Sequence, residues 1–408
     1  MDPKLRAAFN ADFTPEKYAA LVRCVNETKK WPADFRISET PIFLTREFTD
    51  EVTRAANEII AATRTPEFAQ HAASAVPKQL EVPNESGHPN FHVVDFAICA
   101  EGDRLVPRLI ELQAFPSLFG FQLLLLGCIR EEYPVIPRHW TSSFGGIKDD
   151  AYLDLLRRTI IAESDPENVI LLDIEPEKQK TRVDFAATEK LLCIRSVCVT
   201  KIRKRERQLF YERDGREVRI ERIYNRVIFD ELVRRPDLNL PFRFQDDLDV
   251  TWVGHPNWYF RISKHSLPFL KTQRASPAFF ADEFPAFAKA TAGTPADDKI
   301  SNYVLKPLYS FAGHGVDMDP TREKIDALEN PHEWILQKKV DYAAFVPTVG
   351  GQKSKAEIRM MFVWPENDHD PTLVNNLVRM SQSKMMGVDF NIDKTWVGAS
   401  IALHAGDS

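Results

Sequence analysis

Apolar positions along this chain follow two different periods. From Thr49 to Arg64, Val52, Ala55, Ala56, Ile59 and Ile60 recur at helical spacing behind a capping Thr49, and residues 1–75 as a whole read as helical. Pro77, Pro83, Asn84, Ser86, Gly87 and Pro89 make 76–90 a loop. The run Phe91–Cys99, the turn Ala100-Glu-Gly-Asp-Arg104 and a second apolar run to Leu112 then predict a hairpin. Farther on, Asn168–Ile174 and Ser196–Thr200 read as strands around a helical stretch, Thr181–Leu192. That rhythm predicts a small lobe with a parallel sheet. A second hairpin is expected in Gln208–Ile228, turning at Asp214-Gly215. Beyond Pro256, strands at Tyr303–Leu305 and Trp334–Val340 bracket a glycine-bearing loop.

At 408 residues the chain exceeds one ordinary core, and the pattern divides it into 1–165, 166–255 and 256–408. With 44% hydrophobic and 27% charged residues the composition is that of a folded protein. A net charge of -6 gives no reason to expect a nucleic acid or an anionic membrane as partner. The basic run Lys201–Arg222 is interleaved with Glu206, Glu212, Asp214, Glu217 and Glu221, so it reads as a solvated hairpin. Five cysteines, mostly in apolar runs and without a CxxC pair, are expected to be buried thiols of a reducing compartment. The start Met1-Asp-Pro-Lys has no apolar core of a signal peptide. The stretch Phe119–Ile129 is broken by Gly120, Gln122 and Gly127, and falls short of the about 20 apolar residues that span a bilayer. The expected location is cytoplasmic.

Several constellations could carry chemistry. Glu111 and Gln113, two apart on a strand, share a face. In a hairpin turning about Asp103, Asp95 falls opposite Glu111, with Cβ atoms about 5 Å apart. Two carboxylates so close repel unless a cation or proton lies between them, and such oxygen ligands suit magnesium. An exposed strand face with ordinary acids is the alternative, and Pro107 threatens the register. In Tyr303-Val-Leu-Lys306-Pro-Leu-Tyr-Ser-Phe-Ala-Gly313-His-Gly315, a strand delivers a lysine ahead of a loop whose backbone amides could close over phosphate oxygens; a plain surface turn is the alternative. Trp334-Ile-Leu-Gln-Lys-Lys-Val340, followed by Glu357-Ile-Arg359, could present backbone groups to an adenine edge or be any interior strand. In Tyr224-Asn225-Arg226 the arginine could hold a substrate carboxylate in two-point fashion or serve the fold. No Ser-His-Asp or Cys-His signature stands out.

Together these pieces resemble the ATP-grasp superfamily. Lys264 in Arg-Ile-Ser-Lys-His, Lys306 with its loop, and Ile335-Leu-Gln-Lys338 come in family order. The metal hairpin, Val94-Asp95-Phe96 to Ile110-Glu111-Leu-Gln113-Ala-Phe-Pro-Ser117, precedes them instead of following. That order is similar to the circularly permuted branch with eukaryotic-type glutathione synthetases and glutathionylspermidine synthase-like proteins. The resemblance implies an α/β (α+β) ATP-grasp core with a small inserted β-α-β substrate lobe. It implies an ATP- and Mg-dependent ligase that joins a small-molecule or peptide carboxylate to an amine or thiol through an acyl phosphate. The alternative is an inactive binding module or a peptide-tailoring partner protein, and a homodimer is compatible with either.

By the same resemblance, Lys264 and Lys306 would meet the nucleotide phosphates under a lid containing Gly313 and Gly315. Gln337, Lys338 and Lys339 would read the adenine and Glu357 the ribose. Asp95, Glu111 and Gln113 would hold magnesium, Arg379 would stabilise the transferred phosphoryl group, and Ser117 would line the substrate side with Tyr224, Asn225 and Arg226. The chain departs from the pattern in having Gln113 where Asn is usual, Val93 where an arginine often stands, and Ser310 near the place of a lid acid.

Overall fold

The helix predicted from the 52–60 stripe forms, one turn earlier than its expected cap. Thr45 caps Arg46–Ala62 by accepting from the Phe48 amide at 3.3 Å, and Thr49 lies inside the helix with its hydroxyl bonded back to the Thr45 carbonyl. The buried stripe Val52, Ala55, Ala56, Ile59 and Ile60 packs in one core with Val94, Phe96 and Ile98. Those three are alternate residues of strand Phe91–Glu101 and therefore leave Val93, Asp95 and Ala97 on the opposite face. This computed structural model describes every residue except 28–29, 285–299, 311–313, 384–385, 387–390, 392 and 407–408.

The main sheet is antiparallel, in the order Gly398–Ser400, Thr372–Ser381, Lys353–Val363, Phe91–Glu101, Arg104–Gln113, with Val346–Pro347 paired off Lys353–Val363. Strands from both halves of the chain thus join in one sheet, the late block meeting the early one between Lys353–Val363 and Phe91–Glu101. The first hairpin turns on two residues, Gly102 and Asp103, with Glu101 opposite Arg104 and Gly102 at φ 58. A positive φ at the first central residue is the conformation for which glycine is selected in such turns. Pro107 is accommodated because Arg104–Gln113 is an edge strand. The register irregularity falls elsewhere, at Ile110, so that Phe96 faces Leu109 while Asp95 faces Glu111.

A second, four-stranded sheet is parallel: Thr251–Val253, Arg222–Asn225, Val169–Asp173, Arg195–Cys198, with helix Arg182–Leu192 as one crossover. The hairpin Gln208–Arg213 to Arg216–Ile220 turns at Asp214 and Gly215, φ 51 and 77, as its sequence predicts. A third sheet is small and antiparallel, with Trp334–Lys338 between Ala278–Phe280 and Tyr303–Pro307. The architecture is mixed α/β. No helix among the described residues is long and apolar enough to cross a membrane.

The cysteine expectation needs correction. Cys24 of helix Pro15–Glu27 and Cys128 of helix Phe119–Glu132 are joined in a disulfide, with Cα atoms 5.7 Å apart. They are 104 residues apart in sequence, and only the packing of these two helices brings them within reach. Cys99, Cys193 and Cys198 are free. Denatured without reductant, the protein should therefore titrate three thiols, and a titration of five would remove the bridge. Cys128→Ser should lower the unfolding free energy by about 2–4 kcal/mol, read from chemical denaturation of both forms.

Candidate functional site

One face of the main sheet carries a ladder of charge. Arg359 lies directly opposite Asp95 on the neighbouring strand, and Arg379 lies opposite Glu357 on the next. Arg359 donates from Nε and Nη2 to the two Asp95 carboxylate oxygens, both at 2.6 Å. Arg379 reaches the same carboxylate with Nη2 at 3.1 Å and Glu357 with Nε at 2.9 Å. The Tyr342 hydroxyl donates to the other Glu357 oxygen at 2.5 Å. Burial and the adjacent Glu357 push the Tyr342 hydroxyl well above its ordinary pKa, so it stays a donor.

The small sheet and a helical turn packed beside it each supply a lysine to the same place. Lys264, at the start of the short helical turn Lys264–Phe269, stands 3.4 Å from Glu111 and also donates to the Ser310 carbonyl. Lys306, near the end of strand Tyr303–Pro307, donates to the Ile110 carbonyl at 3.2 Å and to Gln337 Oε1 at 2.6 Å. Gln337 in turn donates to the Leu109 carbonyl at 3.3 Å. Four cations and three carboxylates from the two sheets and the turn at Lys264 thus converge. The mutual repulsion that spacing suggested for Asp95 and Glu111 does not arise, because the protein's own cations separate and neutralise them.

Titration behaviour follows from that crowding. Burial favours the neutral Glu111 carboxyl, but Lys264, Lys306, Arg379 and Arg359 together outweigh it and bring its pKa down to about 2. Burial lowers the Lys306 ammonium to about 8; the nearby Lys264 adds to this, and Glu111, Glu357 and Asp95 oppose it. Arg379, set among Glu357, Asp95 and Glu111, is held firmly protonated.

These partners bear on the expected roles. Asp95 is 1% exposed and its oxygens are taken by two guanidinium groups, so it does not fit a metal ion. Glu111, whose side chain is 21% exposed, and partly buried Gln113 on the same strand face keep oxygens that fit one hard cation. Among the described residues no group of three or more His, Cys, Asp or Glu is arranged to hold a metal.

The adenine expectation for 337–339 also changes. Trp334–Lys338 is the central strand of its sheet, and the amides of Lys338 and Lys339 donate to the Pro277 and Asn302 carbonyls, both at 2.8 Å. Those donors are spent inside the fold, while the Gln337 side chain joins the charged cluster. Glu357 likewise has both oxygens engaged, by Tyr342 and Arg379.

Gly313 lies outside the described residues. Gly315 has φ 74 and packs against Pro307, where an added Cβ would come within 3.0 Å of the ring. Its loop is closed at the base by paired backbone bonds between Leu305 and Asp317. Ser117 lies partly buried between strand Arg104–Gln113 and helix Phe119–Glu132.

Tyr224, Asn225 and Arg226 stand apart from the charged ladder and are buried in the parallel-sheet lobe. Arg226 donates to Asp184 at 2.8 Å, and that fully buried carboxylate also accepts from the Leu118 and Phe121 amides at the start of helix Phe119–Glu132. The structural alternative for this arginine is therefore the one its contacts support. Its guanidinium also lies over the Phe115 ring, fixing the segment that follows Gln113. Arg359 and Tyr342 are cluster members that carried no role in the sequence. The available signal was the Glu357-x-Arg359 spacing, which puts both side chains on one strand face.

No family model matches the sequence, and no curated protein matches it. Among solved structures, the fold is similar to a glutathione synthetase-like effector from Globodera pallida in its apo form, with a TM-score of 0.56 and 11% identity. The likeness covers 99% of this chain and 98% of that one. It supports a glutathione synthetase-like fold.

The Glu111 shift predicts an acid-dependent contribution to stability. Its folded pKa lies below the unfolded value, so the contribution is present above about pH 4.5 and is lost as pH falls toward 2. Glu111→Gln should destabilise the protein near neutrality by about 1–3 kcal/mol, and the gap from wild type should narrow on acidification. Denaturation midpoints for both proteins from pH 7 to 2.5 measure this; a pH-independent gap would contradict it.

Proposed function

We propose that the charged cluster between the main and small sheets forms a cleft that binds a nucleoside triphosphate, and that the chain uses it as an ATP-dependent ligase joining a carboxylate to an amine or thiol. The observation that carries this reading is the convergence of Lys264 and Lys306 from one side with Arg379 from the other. Three cations on rigid elements suit phosphate oxygens, and phosphoryl transfer asks chiefly for position and charge from a protein.

In this reading Lys264 and Lys306 hold the phosphates, and Arg379 faces the charge that develops on the transferred group. Among the described residues Lys306 meets only neutral acceptors directly, a carbonyl and an amide, and can exchange them for phosphate oxygens without breaking an ion pair. Glu111 and Gln113 would hold magnesium, which supplies further neutralisation of the phosphates when bound. Ser117 lies on the stretch leading from Gln113 into the next helix and would line the side where the carboxylate substrate enters.

A second reading is favoured by one observation: Asp95 is committed to arginines, which leaves few oxygens for metal. On that reading the chain binds nucleotide or a partner peptide without turnover. Magnesium-dependent ADP release with a panel of acids and amines separates the two. Release that requires both substrates supports the ligase, and binding without release supports the module.

Lys306→Ala should weaken nucleotide binding by roughly 10–100-fold, the range for losing one charge-assisted contact, with the fold retained. Anionic phosphates beside Lys306 would raise its pKa from about 8, so binding near that pH should take up protons and affinity should fall as pH rises through it. Calorimetry in buffers of different ionisation enthalpy reads both effects. Unchanged affinity in Lys306→Ala would dismiss this lysine as a phosphate ligand.

A further inference from the structure

Arg379 is the most exposed member of the ladder on the main sheet, and it is tied down from behind. Its side chain is 35% exposed, against 9% for Arg359, 7% for Glu357 and 1% for Asp95. Nε is held by Glu357 and Nη2 by Asp95, so two of the three guanidinium nitrogens are fixed. Among the described residues no acceptor meets the third, Nη1. Behind this arginine the connections continue through Glu357 to Tyr342 and through Asp95 to Arg359. Every oxygen of the two carboxylates is therefore used to orient a neighbour.

An arginine on an open strand face would lose side-chain freedom on meeting an anion. Here that freedom is already lost in the free protein, which is preorganisation. Charge balance points the same way. Arg359 alone satisfies the two-point geometry of Asp95, and Arg379 adds a second cation to the same carboxylate. Glu357 balances Arg379 within the ladder, but over the whole cluster four cations face three carboxylates, which leaves one positive charge over for a ligand.

We propose that Asp95 is a positioning residue that fixes Arg379 as an anion receptor at the cleft, and that it is not a metal ligand. The inference rests on the reading of the cleft as a site for a phosphate-bearing ligand, and it assigns a metal ion, where one binds, to Glu111 and Gln113 without Asp95.

The test is calorimetric titration of the full chain with a non-hydrolysable ATP analogue, once with magnesium and once with EDTA. Asp95→Asn should weaken binding at least tenfold by the same factor in both conditions, because it acts through arginine. Arg379→Gln should give the same equal loss, and the double variant should lose no more than either single one. A loss in Asp95→Asn confined to the magnesium series would make Asp95 a metal ligand and overturn the inference while leaving the cleft reading intact. Additive losses in the double variant would overturn it as well. Failure of the wild type to bind in either condition would overturn the cleft reading itself. Should Asp95→Asn not fold, Arg379→Gln decides: unchanged affinity, or a loss seen only with magnesium, overturns the proposal.

Discussion

The carboxylate of Asp95, gripped by Arg359 and touched by Arg379, is the interaction on which the centre of this molecule depends. It lies one strand in from the edge of the main sheet, on a strand that follows the N-terminal helices, and its partners come from strands of the last sixty residues. Removing one member of such a buried pair strands the other's charge, which is far more damaging than never having built the pair. The backbone ladders running from Phe91–Glu101 to Lys353–Val363 and on to Thr372–Ser381 fix where the two arginines must stand, and the ion pairs in turn favour that register over a slipped one. Organisation of the cleft and integrity of the sheet therefore share one set of atoms.

The site is assembled from elements that each have an independent reason to be where they are. Helix Arg46–Ala62 covers one face of the sheet with an apolar stripe, which leaves the other face for the charged ladder. The turn Lys264–Phe269 and the small sheet bring Lys264 and Lys306 down onto that ladder, and the Leu305–Asp317 pairing closes the loop that follows Lys306. Asp184, from the parallel-sheet lobe, fixes the stretch after Gln113 by accepting from the Leu118 and Phe121 amides. The main sheet and the segments around the small sheet bring the charged side chains together, and the parallel-sheet lobe braces the stretch beside them, in keeping with the glutathione synthetase-like fold.

Much of the scaffold was legible in the sequence because it rests on local rules. Gly102 marks a tight turn, Asp214-Gly215 marks another, and the 52–60 stripe can only be a helix face. The pairing of Asp95 with Glu111 follows from equal spacing about Asp103, yet it comes about differently. The turn is centred between Gly102 and Asp103, and the irregularity at Ile110 adds the residue that restores the match. What was not legible is whatever depends on a distant partner. Arg359 and Tyr342 acquire roles only when strands from the other end of the chain arrive, Arg226 only through Asp184, and Cys24 only through Cys128. The donors of Lys338 and Lys339 could not be known to be spent until Trp334–Lys338 proved to be a central strand.

The pairing of strand Phe91–Glu101 with strand Lys353–Val363 carries a consequence for how the chain comes into being. Asp95 and Arg359 are 264 residues apart, so the hairpin leaves the ribosome long before its second neighbour exists. Until then the inner edge of Phe91–Glu101 presents unpaired backbone groups beside apolar side chains, a surface open to wrong pairings. Contacts of such sequence separation also make folding slow for topological reasons. The chain's most interdependent region thus stays incomplete through most of synthesis, and its nascent form needs protection for that time.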